Sequence, residues 1–302
     1  VPEIYLLALA KFYLTLAQIT EEQKALLSRM MDILSARGMV FAWYKDLAKY
    51  VDMPGEEVRG VSLEVYEGEI LGIGGLAGQG KLGIPNGVMS LYDTRGSVTL
   101  FGEELKLGNA GDALRAGIAM VSEDRKGVGL LLDQSIEDNI VFNAMQIKGE
   151  YLHRLGLFTL KNSSAVRKTA ERMIHDLDIR CFGPMQHAGT LSGGNQQKVC
   201  IARALVMDPR FLFVSEPTRG IDIGAKKLVL ETLVRLNREQ GMTIVIVSSE
   251  LQELKSISDR IAIISEGKLV DILSPDASDA DFGLAMSGIK PDDQLEKGDG
   301  AQ

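Results

Sequence analysis

The sequence predicts an α/β fold built around a mostly parallel β-sheet. Three observations carry that expectation. Residues 242–247 are a continuous apolar run, as expected of a strand buried on both faces, and 70–73 and 211–214 are apolar stretches of strand length. Amphipathic helical stretches at 165–177 and 226–238 alternate with these runs. A glycine-rich loop, Gly75-Leu76-Ala77-Gly78-Gln79-Gly80-Lys81, follows the first run directly.

At 302 residues the chain has room for one large domain with an appendage, or for two small domains. With 45% hydrophobic and 25% charged residues, it has the balance of a soluble globular protein. A net charge of −8 argues against a nucleic-acid-binding surface and leaves room only for a local basic patch. The two cysteines, Cys181 and Cys200, show neither metal-ligand spacing nor a disulfide framework, which fits a reduced, cytosolic compartment. No segment has the length and polarity of a membrane-spanning helix, and Lys11 interrupts the best candidate at 4–10. That stretch lacks a basic leader and a clear cleavage site, so it is not read as a signal peptide. A membrane role is expected to come through a partner.

Taken in order, residues 1–38 read as a helical extension. Leu6, Leu7, Ala10, Tyr13, Leu14 and Ala17 recur at helical spacing. Thr20 caps a second stretch with Gln23 three residues on, Leu26, Leu27, Met30, Met31 and Leu34 form its stripe, and Gly38 stops it. The pair is either a hairpin packed on the main domain or a partner-binding element. Residues 39–74 read as an antiparallel β portion. It has a first strand at 40–44, an alternating half-buried strand at 58–65, and the turn Glu67-Gly68-Glu69 into a strand at 70–74. Residues 97–102 are a strand and turn, 113–115 belong to a short helix, and 118–121 are another strand. The polar run Ser122-Glu123-Asp124-Arg125-Lys126-Gly127 reads as a loop. Residues 128–188 read as mostly helical, with Ser135 capping one helix and 165–177 forming a second. A closing hairpin pairs 261–264 with 268–271 around Glu266-Gly267, and 290–302 is a polar, frayed tail.

Three motifs carry chemistry. In the loop at 75–81, glycines let the backbone turn tightly and approach phosphate oxygens with no Cβ in the way, and Lys81 supplies a point charge. The stretch Leu191-Ser192-Gly193-Gly194-Asn195-Gln196-Gln197-Lys198 opens a helix and exposes N–H groups at its positive end, which makes an anion site. Residues 211–216 form an apolar strand ending in the carboxylate of Glu216. In this order the motifs resemble the nucleotide-binding domain of ABC transporters over roughly residues 45–288, and the wording of 191–198 resembles the sugar and nucleoside importer branch.

The resemblance implies a P-loop NTPase core of ABC type at 39–289, with a mostly parallel sheet, an antiparallel β portion and a helical subdomain at about 125–190. The extension at 1–38 and the tail at 290–302 flank it. The implied cofactors are ATP and Mg2+. Tyr50 is the candidate to stack on adenine, an ordinary half-buried tyrosine being the alternative. Gly75, Gly78, Gln79, Gly80, Lys81 and Leu82 surround the phosphates. Glu123 stands in the hinge loop usually led by a glutamine, a solvated loop being the bland reading. Glu216 is the implied catalytic carboxylate. Ser192, Gly193, Gly194 and Asn195 face an ATP held by another domain, and Asp222 lies in the loop that crosses the dimer interface.

Three positions depart from the family pattern. Leu82 stands where a Ser or Thr hydroxyl ligates Mg2+. Ser215 replaces the aspartate before the catalytic glutamate, leaving Ser215 and Glu123 as a weak metal set. Ser249 replaces the histidine that senses the γ-phosphate. Pro85 also falls just inside the helix after the loop. The expectation is an ATPase domain whose own site is degenerate and whose 191–195 edge completes a partner's site, as in the second domain of a tandem ATP-binding subunit. The implied role is the ATP-binding part of an importer for a sugar, nucleoside or similar solute. Its implied partners are a second nucleotide-binding domain in cis or trans, transmembrane permease subunits and, indirectly, an extracytoplasmic solute-binding protein, with no nucleic acid. That places it in the cytoplasm, peripheral on the inner membrane face. The competing readings are a non-hydrolysing regulatory module and a non-transport relative acting on nucleic acid or ribosomes. The acidic balance and the Asn195-Gln196-Gln197-Lys198 wording weigh against the last.

Overall fold

The computed structural model describes residues 39–43, 57–92, 94–155 and 158–291. The expected helices at 1–38, the Tyr50 assignment and nearly all of the expected tail lie outside the described residues. In chain order the strands are β1 (Met39–Trp43), β2 (Ser62–Tyr66), β3 (Ile70–Gly74), β4 (Ser97–Leu100), β5 (Glu103–Leu105), β6 (Ile118–Val121), β7 (Leu152–Leu155), β8 (Phe158–Lys161), β9 (Phe211–Ser215), β10 (Thr243–Val247), β11 (Arg260–Ser265) and β12 (Lys268–Leu273). The helices are α1 (Gly83–Val88), α2 (Ala110–Arg115), α3 (Ile136–Asn143), α4 (Ser163–Asp176), α5 (Gly193–Leu205), α6 (Ile223–Gln240), α7 (Leu251–Ile257) and α8 (Asp279–Met286).

The centre is a six-stranded sheet in the order β12-β11-β3-β10-β9-β6. All its pairings are parallel except the β11–β12 edge hairpin. β3, β9 and β10 are buried along their whole length, which explains their continuous apolar character. Alternation along each strand feeds two cores. Leu212, Val214, Ile244 and Ile246 join Val199 and Ile201 of α5 and the helices beyond it. Phe211, Phe213, Val245 and Val247 pack instead against Val88 of α1 and Leu63, Val65 and Val98 of the second sheet. Each such side chain contributes roughly 2 kcal/mol by burial.

The second sheet is antiparallel, in the order β2-β1-β4-β5. Strand β3 leaves this portion and forms the middle of the parallel sheet. The expected strand at 58–65 is real only from Ser62, because Gly60 at φ 64 turns the chain out of extended backbone first. The expected first strand is shifted by one residue, to Met39–Trp43.

Pro85 is the third residue of α1, inside the first turn, where no intrahelical N–H bond is required, and the helix ends at Val88. The region read as mostly helical contains the hairpin β7–β8 between α3 and α4, with Leu152 opposite Lys161. Ser135 does cap α3, its side chain accepting from the Asp138 N–H. The polar run after β6 passes into a π-helical turn at Arg125–Gly129, a local form that recurs at functional sites. Helix α6 begins earlier than expected, at the Asp222 cap, and stops at Gly241 in left-handed backbone. Among the described residues no helix is long and apolar enough to cross a membrane.

Candidate functional site

The glycine-rich loop joins β3 to α1. Gly75 sits at φ +147, and a Cβ there would lie 2.2 Å from the Ile264 carbonyl oxygen, so only glycine lets the loop leave β3 across β11. Gln79, within the loop, is tied to the turn after β11. Its side-chain Oε1 accepts from the Glu266 N–H at 2.6 Å and its carbonyl from the Gly267 N–H at 2.8 Å, which staples the loop to the β11–β12 turn.

Lys81 is 1% exposed. Its Nζ donates to the Leu76 carbonyl at 3.2 Å and stands 3.8 Å from Glu216 Oε1. The same carboxylate oxygen accepts from Ser249 Oγ at 2.6 Å. Glu216 follows β9 in left-handed backbone at φ 45, a conformation that costs a non-glycine residue about 1–3 kcal/mol and recurs at active sites. Its N–H donates to the Val247 carbonyl at 2.7 Å, which ties the exit of β9 to that of β10. Lys81, Glu216 and Ser249 thus converge from three separate loops.

Beside them, Ser215 Oγ is fully buried with no hydrogen-bond partner. Leu82 packs against the core cluster under the second sheet, so it directs no oxygen toward the loop. Glu123 lies just beyond β6, the strand that pairs with β9, and its Oε2 accepts from Ser122 Oγ at 3.2 Å.

The 191–195 edge forms a separate place. Ser192 precedes α5 but does not cap it with its side chain. Its hydroxyl accepts instead from Asn195 Nδ2 at 3.0 Å, while Asn195 Oδ1 accepts from the Arg180 N–H at 2.9 Å. Asn195 therefore orients the serine. A Cβ on Gly194 would come within 2.6 Å of Ala225 Cβ, so the glycine sets the close approach of α5 to α6. Asp222 caps α6, Oδ1 accepting from the Ala225 N–H at 2.9 Å. A cleft of about 480 Å3 opens here, lined by Arg180, Ser192, Gly194, Asn195, Lys198 and Asp222 among others, and by none of Lys81, Glu216 and Ser249.

Three residues outside the sequence motifs shape both places. Arg125 donates to the Arg219 carbonyl at 2.8 Å and to the Gly220 carbonyl at 3.5 Å, joining the turn after β6 to the loop before α6. Glu253 of α7 is buried and accepts from Thr218 Oγ1, from Ser248 Oγ at 3.0 Å and from Lys226 Nζ at 3.4 Å. Lys226 also donates to Glu250, a bond that pushes the lysine up in pKa and holds the Glu250 carboxyl down. The one sequence signal for Glu253 is a carboxylate beside Leu254 on the apolar side of a short helix, which also describes ordinary surface helices. Cys200 is buried in α5, and burial pushes its thiol up to about 12, so it stays a neutral packing group.

A parallel sheet flanked by an antiparallel sheet and a helical region, with a glycine-rich loop leading into α1, is the architecture of the ATP-binding cassette. Two solved cassettes share it. The ADP conformation of MJ1267 superposes with a TM-score of 0.65 at 17% identity, covering 87% of this chain and 99% of that one. The MJ0796 dimer in a post-hydrolysis state with ADP and Pi gives 0.64 at 21% identity, covering 80% and 100%. The chain belongs to the ABC transporter family, whose pattern matches residues 58–219, more than half of its length. It is 41% identical over 242 residues to the ribose import ATP-binding protein RbsA 2 of Rhizobium meliloti, covering 80% of this chain and 46% of that protein. It is 38% identical over 221 residues to the xylose import ATP-binding protein XylG of Thermoanaerobacter pseudethanolicus, covering 72% and 42%. The chain spans less than half the length of these curated relatives.

Proposed function

We propose that this chain is an ATP-binding unit of an ABC importer for a sugar, nucleoside or similar small solute, and that it completes a partner domain's ATP site better than it serves its own. Relatives named for ribose and xylose import support the solute class. The unit is residues 39–289, with a subdomain at about 125–190 that includes a β-hairpin as well as helices.

The asymmetry between the two edges carries the reading. In its own site, Gly75, Gly78 and Gly80 shape the phosphate cradle, Lys81 supplies positive charge, Glu216 orients water, and Ser249 bonds the outermost phosphate. Lys81 is already engaged with Glu216, however, and the Ser215 hydroxyl is an orphan. Mg2+, which accompanies ATP in this family, takes near-octahedral oxygen ligands, usually one or two carboxylates together with phosphates. The groups here do not suit it. Leu82 brings no oxygen, Ser215 only a hydroxyl, and the Glu216 carboxylate is held by Lys81 and Ser249. The 191–195 edge is complete by contrast. Ser192 is exposed on an open cleft, its hydroxyl oriented by Asn195, at a helix N-terminus suited to an anion.

The partner holding that anion is a second nucleotide-binding domain, in cis or in trans, with Asp222 and its loop at the boundary. Permease subunits keep the assembly on the inner membrane face, and a solute-binding protein acts through them. Nucleic acid has no part. The test is turnover by this chain alone in excess Mg2+. The expected rate is near background, rising in the double variant Leu82→Thr, Ser215→Asp. Robust turnover by the unmodified chain, abolished by Glu216→Gln, contradicts the degenerate-site reading. A second reading, a regulatory module that binds nucleotide without turnover in any assembly, is favoured by the Lys81–Glu216 pair; it predicts binding with no partner-stimulated hydrolysis.

A further inference from the structure

We propose that Glu253 is a positioning residue that holds the two loops carrying Glu216 and Ser249 against each other, and thereby sets how this site distinguishes a nucleoside triphosphate from a diphosphate. This rests on reading the 75–81 loop as a nucleotide site.

Thr218 lies two residues beyond Glu216, and Ser248 lies immediately before Ser249. Their hydroxyls converge on one carboxylate, Thr218 on Oε1 and Ser248 on Oε2 of Glu253. The two hydroxyls come from the exits of β9 and β10, which are parallel neighbours paired from Thr243–Phe211 to Val247–Ser215. Beyond that last pair the Glu216 N–H still donates to the Val247 carbonyl and the Ser248 N–H to the Ile73 carbonyl, and Glu253 adds the side-chain link between the two loops. Glu253 is 7% exposed, and a buried carboxylate is tolerated only when its lone pairs are met. Neutralising Lys226 does not require it, because Glu250 already pairs with that ammonium. What Glu253 alone supplies is the pair of acceptors that the two loop hydroxyls share. Charge-assisted hydrogen bonds of this kind are about twice as strong as neutral ones. The loops so joined carry the 2.6 Å contact between Ser249 Oγ and Glu216 Oε1, with Lys81 Nζ of the glycine-rich loop 3.8 Å from the same oxygen. On the reading of 75–81 as a phosphate cradle, the outermost phosphate of a triphosphate is the one that would meet the Ser249 hydroxyl and the water beside Glu216, and a diphosphate lacks it.

The test is equilibrium binding of ATP and of ADP to the full chain, compared among the unmodified protein, Glu253→Ala, Glu253→Gln and Ser248→Ala. Glu253→Ala is expected to lower the preference for ATP over ADP about tenfold, the loss of a charged hydrogen bond, with ADP affinity changed by less than about twofold. Glu253→Gln keeps an acceptor and a donor within the same volume and should retain most of the preference. If Glu253→Ala fails to fold, Ser248→Ala, which deletes one of the two loop bonds, should move the ratio in the same direction. A ratio unchanged in these variants, or ATP and ADP weakened equally, overturns the proposal. An unmodified chain that binds neither nucleotide overturns the site reading and this proposal together, a result distinct from discrimination that survives loss of Glu253.

Discussion

Glu64 shows how much a single buried polar atom decides. It sits on β2 with Oε2 buried and without a hydrogen-bond partner. Arg260 is close, but its guanidinium holds the Glu69 carboxylate at 2.8 and 3.0 Å and reaches only the backbone carbonyl of Glu64, at 2.9 Å. Burial therefore pushes the Glu64 carboxyl up from 4.5 to about 7, against the pull of Arg260. The native state keeps a proton that the unfolded chain releases, so this residue's contribution is most favourable below pH 4.5 and is lost as pH rises toward 7. Glu64→Gln should raise stability by about 1 kcal/mol at pH 8, after allowance for partial solvent screening, and by less at pH 5. Urea unfolding at the two pH values checks this. The sequence exposes the substitutions at Leu82, Ser215 and Ser249 because a motif fixes what each position should be. It does not expose Glu64 or Glu253. Their environments are made by partners as distant in sequence as Arg260 and Thr218, and a carboxylate in an alternating strand or a short helix reads as solvent-facing.

At the scale of elements, the 191–195 edge depends on how α5 and α6 meet. Gly194 touches Ala225 so closely that an added methyl cannot fit without moving α6. Gly194→Ala should cost about 1–3 kcal/mol by overpacking and shift the Asp222 cap. Asp222→Ala should cost about 1 kcal/mol through loss of the cap alone. Thermal or chemical unfolding of the two variants separates the effects, and Gly194→Ala should be the more damaging. Elements long enough to show a period are legible in the sequence: β3, β9, β10, α4, α5 and α6. The hairpin β7–β8 is not, because two four-residue strands lie between helices and carry no run distinguishable from helical neighbours. Nor are α7 and α8, at seven and eight residues, or the π-helical turn that delivers Arg125 to the Arg219 carbonyl. Their existence is fixed by packing partners rather than by local pattern.

At the scale of the molecule, the fold class was readable from alternating strands and helices, but the strand order was not. Placing β3 between β11 and β10 depends on pairings close to 190 and 175 residues apart in sequence, such as Arg260 with Leu71 and Ile246 with Gly72. That order brings Lys81, Glu216 and Ser249 together at the ends of β3, β9 and β10, and leaves Ser192 on a different edge. The proposed asymmetry between these two edges belongs to a chain that spans less than half the length of the importer relatives it matches. The most direct test is steady-state ATP turnover by this chain assembled with the proposed partner domain and permease, with Ser192→Arg in this chain set beside Glu216→Gln in this chain. If the 191–195 edge completes a partner's ATP site, Ser192→Arg lowers turnover about a hundredfold or more, as expected when a contact to developing phosphate charge is lost, while Glu216→Gln costs no more than a few-fold. Turnover that survives Ser192→Arg but collapses with Glu216→Gln would contradict that reading.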